Sequence, residues 1–205
     1  MNWSRVSQSK KTMLYKSQSL EKYINDLGAK VPAPGGGSAA ALCAAMAAAL
    51  MSMAVNFTVG KEKYARYEEE LKGLLNKAEK LKKDCLNLVD LDIVAYESKD
   101  MRKAMDVPLC LSRLCFEGIK ILPELVNKAN RNLISDVAVA AVFFEAAFSA
   151  ARVNVEINLL MLDDKKLVKA VNNELAVRAK SVVKIRTSVE RKVRKILKQK
   201  VECSR

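Results

Sequence analysis

From Ala39 to Val55 the chain is apolar on every side of any helix drawn through it, and no charged residue falls between Lys30 and Lys61. A segment of that kind predicts a helix buried all round, here from Ser38 to about Thr58. Ahead of it Ser19 to Leu27 reads as a short helix capped by Ser19 and ended by Gly28. Val59-Gly60-Lys61 breaks the pattern, and a long helix is predicted from Glu62 to about Met105, charged at first and apolar after Cys85. Pro108 is read as opening the next helix, which runs to about Lys128 with a bend at Pro123. Asn130 to Ile134 reads as a loop, and Ser135 as the cap of a helix through Ala151 to about Leu162. Asp163-Asp164 interrupt that helix, and a basic amphipathic helix follows to about Gln199. No stretch alternates with period two long enough to form a strand. The expectation is all-α: a single-domain helical bundle of long antiparallel helices over 19–205, preceded by a flexible basic arm over 1–18.

The join between the first two helices is unusual. In Val31-Pro32-Ala33-Pro34-Gly35-Gly36-Gly37-Ser38 two prolines fix the approach and three glycines remove the side chains. With Ser38 read as the cap, a bare helix N-terminus is presented, where unpaired N–H groups and the helix dipole favour an anionic or strongly polar ligand. The same glycines would also let two helices cross closely with no ligand, so the elbow alone leaves both readings open. No Lys-Ser/Thr follows the glycines, as a P-loop requires, and the spacing is not that of a dinucleotide-binding turn.

Composition narrows the chemistry. The 205 residues are half hydrophobic with 5% aromatic, which suits one α-helical core. Five cysteines without a C-x-x-C pair are read as reduced core residues of a cytoplasmic protein. Histidine is absent, so no metal site is expected, and any general acid or base must be Asp, Glu, Lys, Tyr or Cys. The polar N-terminus has no signal-peptide core, and the uncharged run at 31–60 reads as a buried central helix, not a membrane span. The net charge of +13 concentrates after Arg178 around an apolar seam of Val182, Ile185, Val189, Val193 and Ile196. An amphipathic helix with solvated charges is the simpler reading, and with no stacking aromatics nucleic-acid binding is not expected.

Two polar constellations stand inside apolar helices. Asp92 has Leu88, Val89, Ala95 and Tyr96 as its i±3 and i±4 neighbours, so it lies on an apolar face. Desolvation there would raise its pKa toward that of a general acid or base, unless a cation from another helix pairs with it; Asp90 is the reserve candidate. On the helix after Ser135, Asn154 and Asn158 share a face, while Glu145, Arg152 and Glu156 can line another. Such amides are satisfied either by neighbouring helices or by a flat heterocycle that pairs with them.

Taken together these segments resemble the cyclodeaminase/cyclohydrolase family, the C-terminal domain of formiminotransferase-cyclodeaminase and its stand-alone relatives. Pro32-Ala33-Pro34-Gly35-Gly36-Gly37-Ser38 is similar to the P-x-P-G-G-G-S signature, and Thr58-Val59-Gly60-Lys61-Glu62-Lys63-Tyr64 to T-x-G-K-x-x-Y. Asp92-Ile93-Val94-Ala95-Tyr96 resembles D-x-x-A-[FY], Val107-Pro108-Leu109 resembles V-P-L, and Ser135-Asp136 with Ala140-Ala141 and Asn154-Val155-Glu156-Ile157-Asn158 resembles S-D…A-A…N-V-x-I-N. The resemblance implies a cytoplasmic homodimer acting on a tetrahydrofolate one-carbon derivative, including polyglutamylated forms, with no tightly bound cofactor. The implied reactions are hydrolysis of 5,10-methenyltetrahydrofolate or deaminating closure of 5-formiminotetrahydrofolate. The missing formiminotransferase domain tilts the expectation to the cyclohydrolase. Asp92 is implied as the catalytic carboxylate, and Gly35, Gly36, Gly37, Ser38, Asp136, Asn154 and Asn158 as folate-binding; on charge alone, Lys61 and Lys63 are further candidates to meet the anionic glutamate tail. One departure stands out: Tyr96 is joined to Val107 by a short charged stretch, Glu97 to Asp106, where the family carries an insertion. The alternative expectation is therefore a catalytically degenerate folate-binding or helical interaction protein.

Overall fold

The computed structural model describes residues 14–202, with side chains as far as Gln199. Six α-helices account for most of it: α1 Leu20–Gly28, α2 Gly36–Asn56, α3 Glu68–Glu97, α4 Met101–Lys128, α5 Ile134–Leu159 and α6 Lys165–Glu202. A 3-10 helix, Glu62–Tyr67, joins α2 to α3. No strand occurs among the described residues.

α2 is the centre of the bundle. It packs between α3 and α5, α6 lies beside α5, and α4 runs behind α3, α5 and α6. By length and composition α2 and α5 would each span a membrane, but here they form the middle of the bundle. Alanines on α2 allow the close approach; Ala44, Ala47, Ala48 and Ala54 are fully buried, with Met51 and Val55 filling the space between them. α5 adds Phe144 and Phe148, and Gly118 of α4 is the place where Phe144 fits, since a Cβ there would overlap its ring. α2 and α5 run antiparallel, as the pairing of Cys43 with Phe143 and of Phe57 with Asn130 shows.

Several expected boundaries move. Gly35, not Ser38, is the N-cap of α2, with no side-chain cap bond; Ser38 is instead a fully buried residue of the first turn. The predicted helix from Glu62 to Met105 is split: a 3-10 turn precedes Glu68, and α3 stops at Glu97. The link to α4 is only Ser98–Asp100, where Lys99 has φ 54° and Asp100 caps α4 by accepting from Arg102 and Lys103 N–H. Pro108 therefore lies in the second turn of α4, not at its start. α5 begins at Ile134 with Leu133 at the N-cap, and Ser135 makes no cap bond. Of the arm expected over 1–18, residues 1–13 lie outside the described residues, and Tyr15 is packed in the core, its N–H donating to Asp90 Oδ1 at 2.6 Å. Cys85 and Cys115 are core residues and Cys43 is half-buried, whereas Cys110 is exposed.

Candidate active site at the glycine elbow

The elbow closes over a cavity of about 230 Å³ at one end of the bundle. Its floor is the main chain of Gly35, Gly36 and Gly37; α3 contributes Asp92, Ile93 and Tyr96, α4 contributes Ala104, and α5 contributes Asn154 and Asn158. Four helices thus converge on one polar pocket, and each supplies a different kind of group.

Asp92 meets the N-terminus of α2. A Cβ on Gly37 would overlap its carboxylate, so glycine at 37 is what lets this helix end and the acid touch. Burial pushes the Asp92 pKa up, opposed by the Ser38 main-chain N–H, which favours the charged form. No lysine or arginine contributes to that balance, so the ion pair that would have explained a buried acid structurally is absent among the described residues. Behind the elbow the Tyr23 hydroxyl and Ser38 Oγ are 3.1 Å apart. Tyr23 is buried, and its pKa is raised by that burial and further by the negative Asp92. Nothing in the sequence pattern singled out Tyr23, because its spacing on α1 reads as ordinary core.

Pro108 explains the placement of Asn158. Proline has no N–H, so the Ala104 carbonyl four residues back loses its helical partner. Asn158 Nδ2 donates to that carbonyl at 2.8 Å and is thereby fixed against the cavity wall. Asn154 Nδ2 donates to Ala150 O of its own helix at 2.9 Å and lies beside Gly36. Both amides have committed a donor to protein, which leaves their Oδ1 atoms as acceptors for a ligand. The pocket therefore has a donor wall, the α2 N-terminus, facing acceptors from α3 and α5.

Of the residues expected at the site, Gly35, Gly36, Gly37, Asp92, Asn154 and Asn158 line the cavity, and Ser38 touches it through its main chain. Asp136 does not join them. It lies in the first turn of α5, 18 residues before Asn154, about 27 Å away along the helix axis. Asp90 is also elsewhere: two residues from Asp92 it faces the opposite side of α3, buried and accepting from the N–H of Tyr15 and Lys16. Glu145 pairs with Arg186 of α6, and Arg152 pairs with Glu156 along the surface. Lys61 and Lys63 follow the far end of α2, remote from this cavity within one chain. A wider groove of about 450 Å³ lies across α3 between Leu14, Leu91, Val94 and Leu114. It has no bare helix terminus, and Asp90 there already serves the backbone, so the elbow cavity is the better candidate. Among the described residues no three His, Cys, Asp or Glu groups stand together as metal ligands.

The formiminotransferase-cyclodeaminase family model matches residues 19–99 and 97–177. The chain belongs to that family. Among its relatives, the methenyltetrahydrofolate cyclohydrolase of Methylorubrum extorquens is 32% identical over 182 residues, spanning 78% of this chain and 88% of that one. The formimidoyltransferase-cyclodeaminase of Rattus norvegicus is 31% identical over 71% of this chain, but that match spans only 31% of the longer rat protein. Among solved structures, the formiminotetrahydrofolate cyclodeaminase of Thermotoga maritima superposes with a TM-score of 0.76 at 26% identity, covering 91% of this chain and 98% of that one. The family's named members are folate one-carbon enzymes, and the elbow cavity is where this cyclodeaminase-family fold gathers its polar groups.

Proposed function

We propose that this family member is a methenyltetrahydrofolate cyclohydrolase with Asp92 as its general base. The observation that carries the reading is the Asp92 carboxylate: held on the α2 N-terminus, without a cation, and raised in pKa by burial. A carboxylate so placed takes a proton readily at neutral pH when a substrate excludes water. In the hydrolysis, Asp92 removes a proton from a water as its oxygen bonds to the methenyl carbon. The tetrahedral adduct then breaks its bond to N5 as its hydroxyl proton passes to solvent and the carbonyl forms on N10 as the formyl group; Asp92 returns its own proton to N5, so that the cationic substrate and water give the neutral formyl product and one released proton. Main-chain N–H groups of the elbow face the oxygen-rich edge of the substrate, while Asn154 and Asn158 Oδ1 accept from the N–H edge of the pterin.

The same groups suit the deaminating closure, in which N10 attacks the formimino carbon, Asp92 takes the N10 proton, and the departing amine leaves protonated. The extensive match to the stand-alone cyclohydrolase relative favours the hydrolysis. We further propose that the protein works as a homodimer in the cytoplasm and takes polyglutamylated folates.

The test follows the ultraviolet band of methenyltetrahydrofolate: its loss with purified protein supports hydrolysis, and its appearance from 5-formiminotetrahydrofolate supports the deaminase. A degenerate folate-binding protein is the second reading, favoured by the three-residue link between α3 and α4, which leaves Tyr96 61% exposed at the cavity. Calorimetric binding of tetrahydrofolate with neither band change would establish that reading instead.

A further inference from the structure

The groove across α3, on the side away from the elbow, is a second place where the fold leaves a polar group unanswered. Its walls are Leu88, Leu91 and Val94 of α3 and Cys110 and Leu114 of α4, joined by Leu14 from the segment ahead of α1. At about 450 Å³ it lies within the roughly 300–1,000 Å³ of sites that hold a small organic molecule. From Asp84 to Val94 it follows α3 for about 15 Å.

Asp90 lines this groove and is 5% exposed. Its Oδ1 accepts the N–H of Tyr15 at 2.6 Å and that of Lys16 at 3.3 Å, which ties the segment before α1 to α3. Its Oδ2 is buried and accepts from no group among the described residues. Holding two main-chain N–H groups takes one oxygen, and asparagine would supply it without the cost of burying a charge. The second oxygen is therefore left over from the structural task. The charged neighbours along the groove are engaged elsewhere: the Lys16 ammonium bonds Asn87 Oδ1 at 3.1 Å, and Asp84 pairs with Lys80 at 3.2 Å.

An apolar groove with one unpaired carboxylate oxygen selects a ligand of matching build. A hydrocarbon or aromatic body covers the leucines, and a cationic N–H donor reaches Oδ2. A neutral apolar molecule would leave the oxygen bare, and an anion would set like charges together. The lining carries two carboxylates, Asp84 and Asp90, against the single ammonium of Lys16, so the groove is locally acidic on a chain of net charge +13. We propose that the groove between α3 and α4 binds a small primary amine with an apolar body, an arylalkylammonium in chemical class, whose ammonium donates to Asp90 Oδ2. The groove lies on the face of α3 opposite Asp92, and the proposal does not rest on the folate reading.

Tryptamine is the probe, with 3-ethylindole and indole-3-propionate as its neutral and anionic counterparts. Calorimetry on the full chain is expected to give tryptamine a Kd of about 1 mM or tighter. Each counterpart is expected to bind about 10- to 100-fold more weakly, the effect of losing one hydrogen bond to a charged group. Cys110 locates the binding, because it is exposed in the groove while Cys85 and Cys115 are buried. Tryptamine should slow its alkylation by a maleimide, read on the Cys110 peptide by mass spectrometry. Asp90→Asn keeps the oxygen that Tyr15 and Lys16 use and removes the unpaired one, so its affinity for tryptamine should fall about 10- to 100-fold with an unchanged circular dichroism spectrum. Leu114→Trp leaves Asp90 in place and fills the groove, and should abolish the protection of Cys110 by tryptamine. Equal affinities for the three ligands, or an unprotected Cys110 at saturating tryptamine, overturn the proposal. So does undiminished tryptamine binding by Leu114→Trp or by folded Asp90→Asn.

Discussion

Asp92 and Gly37 form a contact whose two halves have meaning only together. Gly37→Ala puts a methyl group where the carboxylate lies, so either the acid swings away or the elbow shifts. Its expected effect is a fall in kcat/KM of about 100-fold with little loss of stability, because a misplacement of about 1 Å at a catalytic group costs that much. Circular dichroism alongside kinetics checks it. The acid also has a stability signature. Its carboxyl has a higher pKa folded than unfolded, so the folded state is favoured by protonation. That contribution is whole below the ordinary carboxylate range and is lost as pH rises through the folded-state pKa. Asp92→Asn is free of this loss, so thermal melts should show its stability relative to wild type growing from pH 4 to pH 7; an unchanged or shrinking difference would contradict the burial argument. Asp92 was legible in the sequence because a carboxylate on an apolar helix face is costly. Its freedom from a cation was not, since an ion-pairing lysine on another helix leaves no trace at helical spacing. Tyr23 was missed for the opposite reason: a tyrosine on a core face looks the same whether or not its hydroxyl meets an active-site turn.

At the scale of elements, Pro108 and Asn158 tie α4 to α5 through one carbonyl. Asn158→Leu leaves Ala104 O without its donor and is expected to cost about 1 kcal/mol. Asn154→Leu should cost less, because Ala150 O keeps its helical N–H. Adding Pro108→Ala to Asn158→Leu restores a main-chain donor and should return stability, while leaving ligand affinity low. Chemical denaturation of the four variants checks this cycle, and independent, additive costs for Pro108→Ala and Asn158→Leu would refute the link. The helices themselves were readable from apolar periodicity, but their ends were not. Ser38 and Ser135 looked like caps, yet Gly35 and Leu133 hold those positions, since the packing of α2 and α5 sets where each helix begins. Pro108 looked like a helix start because its fixed φ suits a first turn equally well.

Over the whole molecule, α2 runs from the elbow cavity to the turn that carries Lys61 and Lys63, so one helix separates the acid from these cations by its full length. The motifs around Asp92 and around Lys61 were both visible in the sequence. Their separation follows from the helix predicted between Ser38 and Thr58, at about 1.5 Å per residue, as the distance of Asp136 from Asn154 follows from the helix after Ser135. What the sequence did not show is that the Asp92 carboxylate meets the elbow end of α2, at Gly37. The charge distribution follows the same division, with an uncharged middle, α2, and a basic outer helix, α6. The central claim remains that the glycine elbow positions a catalytic carboxylate for folate chemistry. Its most direct measurement is the rate of loss of the methenyltetrahydrofolate band with wild type and with Asp92→Asn at equal, folded concentration. Removing a general base is expected to lower kcat by about 100- to 10,000-fold, and equal rates for the two proteins would contradict the account.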